Sequence, residues 1–149
     1  KTAYEIKECD WSSDVCSSDL REAWAERLLS NIMHHEPDLV VLAGFMKILP
    51  KEFVNKLKGK LINTHPSLLP QFPGAHAVRD ALNAKATKTG VTIHKVDEGV
   101  DTGEIIVQQD VLVEAGDNEE LLHERIQVVE RELLVKTVED IATKKILLG

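Results

Sequence analysis

Asn63 and His65 stand two residues apart in a segment that begins with Leu61-Ile62 and ends at Pro66. If this segment is a β-strand, the two side chains project from one face and present an amide and an imidazole to the same ligand. Such groups can act on a carbonyl that is under attack. Pro66 favours an extended backbone at His65 and ends the strand. A turn in which the Asn and His side chains bond backbone groups fits the segment equally well, so both interpretations stay open.

A second cluster of polar residues lies further along the chain. It consists of Thr92-Ile93-His94 and the loop Asp97-Glu98-Gly99-Val100-Asp101-Thr102-Gly103. Asp101 would add a carboxylate to the amide and the imidazole, although a loop aspartate that makes a turn with Thr102 and Gly103 is the simpler interpretation. A hydrogen-bonded structural histidine is as good an interpretation of His94 as a catalytic one. We therefore place His94 near the site without assigning it a role.

Metal binding is a further use to which these side chains could be put. A zinc site would have to combine four residues whose spacings match no familiar ligand set, namely His65, His76, His94 and Asp101. His34 and His35 are neighbours, so they cannot share one helix face as ligands. The sequence therefore predicts no metal.

Alternating helices and strands are predicted from Arg21 onward. Apolar residues recur at helical spacing from Leu20 to Ile32, and Pro37 stops that helix. The almost wholly apolar run 38–44 indicates a strand buried on both faces, which is typical of a parallel sheet. The other predicted elements are a helix at 50–57 that ends before Gly59, strands at 60–65, 90–96 and 104–113, a helix at 76–82, and a long helix that Asp117 or Asn118 caps and that runs to about 141. This order predicts an α/β domain with a mainly parallel sheet.

Size and composition restrict the class of protein. The chain has 149 residues, of which 43% are hydrophobic and 29% charged, as is ordinary for one soluble globular domain. The formal net charge of −7 argues against a nucleic-acid partner. No apolar run approaches the roughly 20 residues that cross a bilayer, and no signal peptide is recognisable. We therefore expect a cytoplasmic protein without membrane contact, while nothing in the sequence indicates an oligomeric state.

Residues 1–20 differ in character from the rest of the chain. They contain both cysteines, Cys9 and Cys16, show no sustained helical or strand period, and end in repeated Ser-Ser-Asp. The stretch resembles the translation of a sequencing adapter joined in frame to a gene fragment. We expect residues 1–20 to be non-native and residues 21–149 to form the functional domain, so neither a disulfide nor a redox compartment is inferred from the cysteines.

Three segments, in their order and spacing, resemble the folate-dependent formyltransferases, and the likeness runs from Arg21 to about Ile141. They are Phe45-Met46-Lys47-Ile48-Leu49, Ile62-Asn63-Thr64-His65-Pro66-Ser67-Leu68-Leu69-Pro70, and Gly90-Val91-Thr92-Ile93-His94 with Asp101-Thr102-Gly103. Within this family the likeness is greatest to members that formylate glycinamide ribonucleotide. The resemblance implies a Rossmann-like open sheet and the transfer of a formyl group from 10-formyltetrahydrofolate to the amine of glycinamide ribonucleotide, in purine synthesis.

The resemblance also implies roles for individual residues. The catalytic residues of the family fall on Asn63, His65 and Asp101, with Asn63 stabilising an oxyanion, His65 handling the proton and Asp101 favouring the charged imidazolium. Its folate contacts fall on Arg21, Met46, Lys47, Ile48, Leu49 and Asn63. Its contact to the amine substrate falls on Glu130, for which a solvated helix face is the alternative.

One part of the family pattern is absent from this chain. Full-length relatives hold the substrate phosphate with a first strand and a glycine-rich loop, for which no segment here qualifies. We therefore expect a fragment that has the catalytic residues but lacks the phosphate site. Other members of the family are the nearest alternatives: a formyltetrahydrofolate deformylase, which uses water as acceptor, or a methionyl-tRNA formyltransferase. An inactive fragment that binds folate is the third alternative.

Overall fold

The computed structural model describes residues 18–45 and 47–149, with side chains from Glu22 onward. Four helices and four strands form in the described part of the chain. They are α1 (Ser18–His34), β1 (Val40–Leu42), α2 (Lys51–Lys56), β2 (Leu61–His65), α3 (Ala77–Asn83), β3 (Lys88–Lys95), β4 (Ile105–Leu112) and α4 (Glu119–Ala142). The described residues up to Glu36 belong to one compact unit and residues 37–149 to a second, and each is described by itself.

The sequence pattern located every described element to within a few residues. The helix before Pro37 ends at His34, and the loop Pro66 to His76 separates β2 from α3. Gly59 follows α2 with φ +80°, a left-handed conformation that glycine adopts without a steric penalty. The α/β class is confirmed. Within the described ranges, no helix is both long and apolar enough to cross a membrane.

The four described strands form one mixed sheet in the order β1-β2-β3-β4. Strands β1 and β2 are parallel, whereas β2 with β3 and β3 with β4 are antiparallel. The expectation of a mainly parallel sheet is thus wrong for these strands. Only nine residues, 96–104, connect β3 to β4, which is too short for the crossover that a parallel pair requires.

Strand β1 also differs from its predicted environment. Val40, Val41 and Leu42 are each half-buried, whereas the apolar run had indicated burial on both faces. In the described sheet, β1 has a hydrogen-bonded neighbour on one side only, because it is the terminal strand of the order. An apolar run reports the chemistry of the side chains and not the number of neighbouring strands.

The described hydrophobic core lies where α3 and α4 cover β3 and β4. Its buried members come from all four elements: Val78, Val91, Val111, Leu122 and Ile126. Leu122 and Ile126 are one helical turn apart, so α4 presents one apolar stripe to the sheet. This packing fixes the face of α4 that remains beside β2.

The start of α4 is held against the end of β4 by a second set of contacts. Asn118 caps the helix, since its side chain accepts a hydrogen bond from the Leu121 N–H at 2.8 Å. Arg125 donates to both carboxylate oxygens of Asp117, at 2.7 and 2.9 Å, and also to the Leu112 carbonyl at 3.0 Å. The hydrogen-bonded Arg125 guanidinium lowers the pKa of the Asp117 carboxyl below its usual value, and the bond from the Glu114 N–H acts in the same direction.

Two adjacent leucines of α4 provide a matched test of this packing. Leu122 is fully buried, whereas Leu121 is 49% exposed. We expect Leu122→Ala to lower the free energy of unfolding by about 2–5 kcal/mol, because a buried cavity replaces the side chain. Leu121→Ala removes the same atoms from the surface and should cost far less. Urea unfolding of both variants makes the comparison, and equal losses would contradict the described orientation of α4.

The Asp117–Arg125 pair predicts a pH-dependent contribution to stability. Because the folded-state pKa of Asp117 is lowered, the pair stabilises the fold above the unfolded pKa of about 3.9, and this contribution is lost as the pH falls through the lower folded pKa. We expect Asp117→Asn to be destabilising at pH 5–7, with a difference from wild type that narrows below pH 4. Urea unfolding between pH 3 and 7 measures it. Asp110→Asn, which breaks an exposed pair with Lys88, is the control, and the same pH-dependent loss there would count against the assignment.

Candidate functional site

Strand β2 carries Asn63 and His65. Asn63 and His65 alternate with Thr64 along the strand, so their side chains share one face and line one cleft. His65 is buried and Asn63 half-buried. The interpretation of this segment as a turn is therefore wrong, and Pro66 follows the end of the strand as predicted.

Asp101 lies in the loop between β3 and β4, and its carboxylate stands between two imidazoles. Oδ2 is 3.4 Å from His65 Nδ1, and Oδ1 is 3.6 Å from His94 Nε2. Oδ2 also accepts a hydrogen bond from the Gly74 N–H at 2.8 Å. The backbone of Asp101 has φ +53°, a left-handed conformation that aspartate tolerates better than most residues. This conformation turns the carboxylate toward the histidines.

The turn role that was considered for Asp101 belongs instead to Asp97. Asp97 Oδ1 accepts hydrogen bonds from the Gly99 N–H at 2.9 Å and from the Thr102 hydroxyl at 2.6 Å. Glu98 of the same loop contacts two residues of α2. Its Oε1 accepts a hydrogen bond from Asn55 Nδ2 at 3.1 Å, and its Oε2 forms an ion pair with Lys51 Nζ at 3.4 Å. The loop is thus shaped by Asp97 and joined to α2 by Glu98, which leaves Asp101 directed inward.

His94, for which no role was predicted, is a fourth member of the cluster. It is buried and stands directly opposite Asn63 in the antiparallel register of β2 and β3. Its Nδ1 is 2.8 Å from the Lys95 carbonyl, which can only accept, so Nδ1 carries a hydrogen. In the neutral ring Nε2 then accepts the hydrogen bond from Asn63 Nδ2, at 3.3 Å. Strand register, which a single sequence does not reveal, is the signal that would have assigned this contact.

The Asn63 amide has one N–H group left for a ligand. One hydrogen of Nδ2 is directed to His94, while Oδ1 is buried and has no hydrogen-bond partner among the described residues. The second hydrogen of Nδ2 has no acceptor among the described residues, and Asn63 lines the cleft. A fixed amide donor beside a buried imidazole suits the stabilisation of developing negative charge on an oxygen.

The cleft around these residues has a volume of about 500 Å³ and is bounded by three parts of the fold. The side chains of the cluster form its inner wall, and Val100 of the acidic loop and Ile48 after β1 stand at its mouth. Ile48 is 81% exposed and Val100 49%, so both offer apolar surface to a ligand. A cleft of this size with apolar walls and a few converging polar groups is typical of small-molecule sites.

Helix α4 contributes the third wall. Glu130 accepts a hydrogen bond from the hydroxyl of the buried Thr64, and it lines the cleft together with His123 and Gln127. These residues stand at i, i+4 and i+7, which is one face of a helix. The interpretation of Glu130 as part of a solvated face is wrong, because the carboxylate is half-buried and paired. Gln127 was not predicted as a site residue and His123 was assigned no role of its own, although their spacing from Glu130 in the sequence is helical.

Comparison with known proteins decides the family. The sequence model described as "Formyl transferase" matches residues 11–138, which is most of the chain. The chain belongs to the formyl transferase family. Its relatives include the phosphoribosylglycinamide formyltransferase of Mycobacterium tuberculosis, 54% identical over 123 residues that cover 83% of this chain and 57% of that protein. The enzyme of the same name from Escherichia coli K12 is 45% identical over 112 residues, which cover 75% of this chain and 53% of that protein.

Solved structures agree with this family membership. The phosphoribosylglycinamide formyltransferase of Anaplasma phagocytophilum superposes with a TM-score of 0.78 at 42% identity, over 80% of this chain and 57% of that one. The enzyme from Streptococcus pneumoniae TIGR4 gives 0.77 at 40% identity, over 80% and 66%. The formyltransferase fold expected from the sequence is confirmed. The chain spans little more than half the length of the curated relatives described above.

The predicted folate contacts are only partly described. Three of these residues lie between β1 and α2 and line the same cleft as Asn63: Lys47, Ile48 and Leu49. Met46 lies outside the described residues, as does the side chain of Arg21, so their predicted contacts stay predictions. The same holds for the suggestion that residues 1–20 are non-native. Within the described ranges, no three His, Cys, Asp or Glu side chains are grouped as a metal site requires.

The Thr64–Glu130 contact gives a prediction for the α4 wall of the cleft. Thr64→Val has nearly the same shape but lacks the hydroxyl that bonds Glu130. We expect a loss of about 1 kcal/mol in the free energy of unfolding, since a part-buried acceptor loses its donor. Thr64→Ser keeps the donor and is the matched control. Chemical denaturation measures both variants. The Ser variant also lacks a buried methyl group worth about 0.8 kcal/mol, so the deciding comparison is with wild type: a Thr64→Val variant as stable as wild type would show that the bond contributes nothing.

Proposed function

We propose that this chain carries out the transfer of a formyl group from 10-formyltetrahydrofolate to the amine of glycinamide ribonucleotide, a step of purine synthesis. The supporting observation is the convergence of Asn63, His65 and Asp101 in one cleft, with His65 Nδ1 at 3.4 Å from the carboxylate. The relatives named above, all called phosphoribosylglycinamide formyltransferases, support the choice of formyl group and acceptor. The choice of donor rests on the resemblance to folate-dependent formyltransferases.

The proposed chemistry follows from the groups in the cleft. The acceptor amine attacks the formyl carbon, a new C–N bond forms, and negative charge develops on the formyl oxygen. The free N–H of Asn63 stabilises that oxyanion, and one such donor is typically worth about 10²–10³ in rate. The bond from carbon to the folate nitrogen then breaks.

Two proton movements complete the transfer. The folate nitrogen leaves with a proton from the His65–Asp101 pair, and the former amine loses a proton to the same pair, so the site ends as it began. A positioned acid and base of this kind typically contributes about 10²–10⁴ in rate. During the exchange the Asp101 carboxylate, 3.4 Å from Nδ1, faces the positive charge that develops on the ring.

The walls of the cleft suit the two substrates. Ile48 and Leu49 provide apolar surface for a flat pterin ring beside the polar cluster. On the opposite wall the carboxylate of Glu130 suits the amine of glycinamide ribonucleotide, and Thr64 holds one of its oxygens. No metal takes part in the proposed reaction.

A formyl-transfer assay with the purified chain tests the proposal. We expect Asn63→Ala to lower kcat by about 10²–10³ while KM changes little, since the lost donor acts mainly on the transition state. Val128→Ala, an exposed position of α4, should leave the rate unchanged and is the control. Release of formate without formylation of the amine would identify water as the acceptor instead.

The same preparation separates catalysis from simple binding. A folate analogue should raise the melting temperature of the folded chain, because a ligand that binds only the native state stabilises it by RT ln(1 + [L]/Kd). Stabilisation by the analogue without any formyl transfer would contradict the catalytic proposal and leave a folate-binding chain. If the chain shows neither formyl transfer nor stabilisation by the analogue, both the catalytic proposal and the folate-binding alternative are contradicted.

A further inference from the structure

The segment that follows β2, residues 66–72, is fastened to the sheet by two side chains. The Thr92 hydroxyl on β3 donates to the Ser67 carbonyl at 2.7 Å and accepts from the Leu69 N–H at 3.0 Å. The Gln108 amide nitrogen on β4 donates to the Leu69 carbonyl at 2.9 Å and to the Thr92 hydroxyl at 2.8 Å. Both strands thus hold the backbone of the segment at positions 67 and 69.

This set of bonds is complete in its donors and acceptors. The Thr92 hydroxyl uses its single hydrogen and both of its lone pairs, and Gln108 uses both hydrogens of its amide nitrogen. Leu68 packs closely on the backbone of Gly90, where an added Cβ would lie only 2.6 Å from Leu68 Cδ2. The segment therefore has one close-fitting position on the sheet.

The far end of the segment contacts the proposed catalytic histidine. The Phe72 carbonyl oxygen lies 2.8 Å from His65 Nε2, and the Ser67 hydroxyl donates to the adjacent Gln71 carbonyl at 2.5 Å. Phe72 has φ +52°, a conformation that costs energy in a bulky residue and is kept only when its surroundings impose it. The Ser67 hydroxyl also lies 3.3 Å from the Phe72 carbonyl oxygen, and the Gln71 N–H donates to the Leu68 carbonyl at 3.0 Å. The bonds at positions 67 and 69 hold the start of this turn on the sheet.

The Phe72 carbonyl determines which nitrogen of His65 carries a hydrogen. A carbonyl oxygen can only accept, so a ring nitrogen at 2.8 Å must bear the hydrogen. The other nitrogen, Nδ1, faces the Asp101 carboxylate at 3.4 Å. The proton that His65 exchanges during a reaction is then the one on Nδ1, on the side of Asp101.

We propose that Gln108 is a positioning residue for His65. It acts through Thr92 and the segment 66–72, which hold the Phe72 carbonyl against Nε2 and so keep the Nε2–H form of the ring. The importance of this form for formyl transfer rests on the proposed function, whereas the protonation of Nε2 is a property of the chain without substrate.

Nuclear magnetic resonance of the histidine ring nitrogens tests the proposal. The chain has six histidines, and the signals of His65 are assigned as those absent from a His65→Gln spectrum. We expect Nε2 of wild-type His65 to stay protonated at every pH at which the chain is folded. Gln108→Met keeps the length of the side chain and removes both N–H donors, so at high pH a measurable fraction of the molecules should lose the hydrogen from Nε2.

Gln109 provides the matched control, because it is the neighbouring glutamine on β4 and is directed away from the segment as strand residues alternate. Gln109→Met should give the wild-type spectrum, and Gln108→Glu, which also lacks the N–H donors, should reproduce the effect of Gln108→Met. An Nε2 without hydrogen in wild type, or an unchanged ring in both Gln108 variants, would overturn the proposal. The spectra need no substrate, so failure of the formyl-transfer assay would leave this result intact.

Discussion

The antiparallel pairing of β2 with β3 is the constraint on which the candidate site depends. It places Asn63 opposite His94, and Asp101 of the loop that follows β3 reaches His65 at the end of β2. A shift of the register by one residue would move each of these side chains to the other face of the sheet, since strand side chains alternate. The backbone hydrogen bonds of the sheet therefore determine which face carries Asn63, His65 and His94, independently of the contacts that these side chains make.

Besides the strand register, two left-handed backbone conformations determine the surroundings of His65. Asp101 and Phe72 both have a positive φ, and both present an oxygen to His65, from the carboxylate in one case and from the carbonyl in the other. Such conformations persist when the surrounding structure imposes them, and here hydrogen bonds from neighbouring elements do so. The imidazole consequently lies between two acceptors, the Phe72 carbonyl at Nε2 and the Asp101 carboxylate at Nδ1.

The sequence was most informative where a single period or a single residue type decides the structure. The spacing of Asn63 and His65 predicted their common face, and Pro37 and Gly59 predicted helix ends. It was least informative about contacts that depend on strand partners. The parallel direction expected of the sheet, the burial of β1 and the meeting of His94 with Asn63 each depend on which strands are neighbours, and one sequence carries no such information. Resemblance to known formyltransferases, not the spacing of the residues, favoured a catalytic role over a turn for Asp101 and introduced Glu130 as a candidate.

Strand β2 serves two walls of the cleft through consecutive residues. Asn63 and His65 face the cluster around Asp101, while Thr64 between them reaches Glu130 on α4. The residues proposed to handle the formyl group and Glu130, the proposed contact to the acceptor, are thus separated by the thickness of one strand backbone. A substitution at Thr64 or along α4 can therefore change how a second substrate is held without moving either neighbour on the strand. In evolutionary terms, acceptor preference and chemistry can vary separately although they share three consecutive positions of the chain.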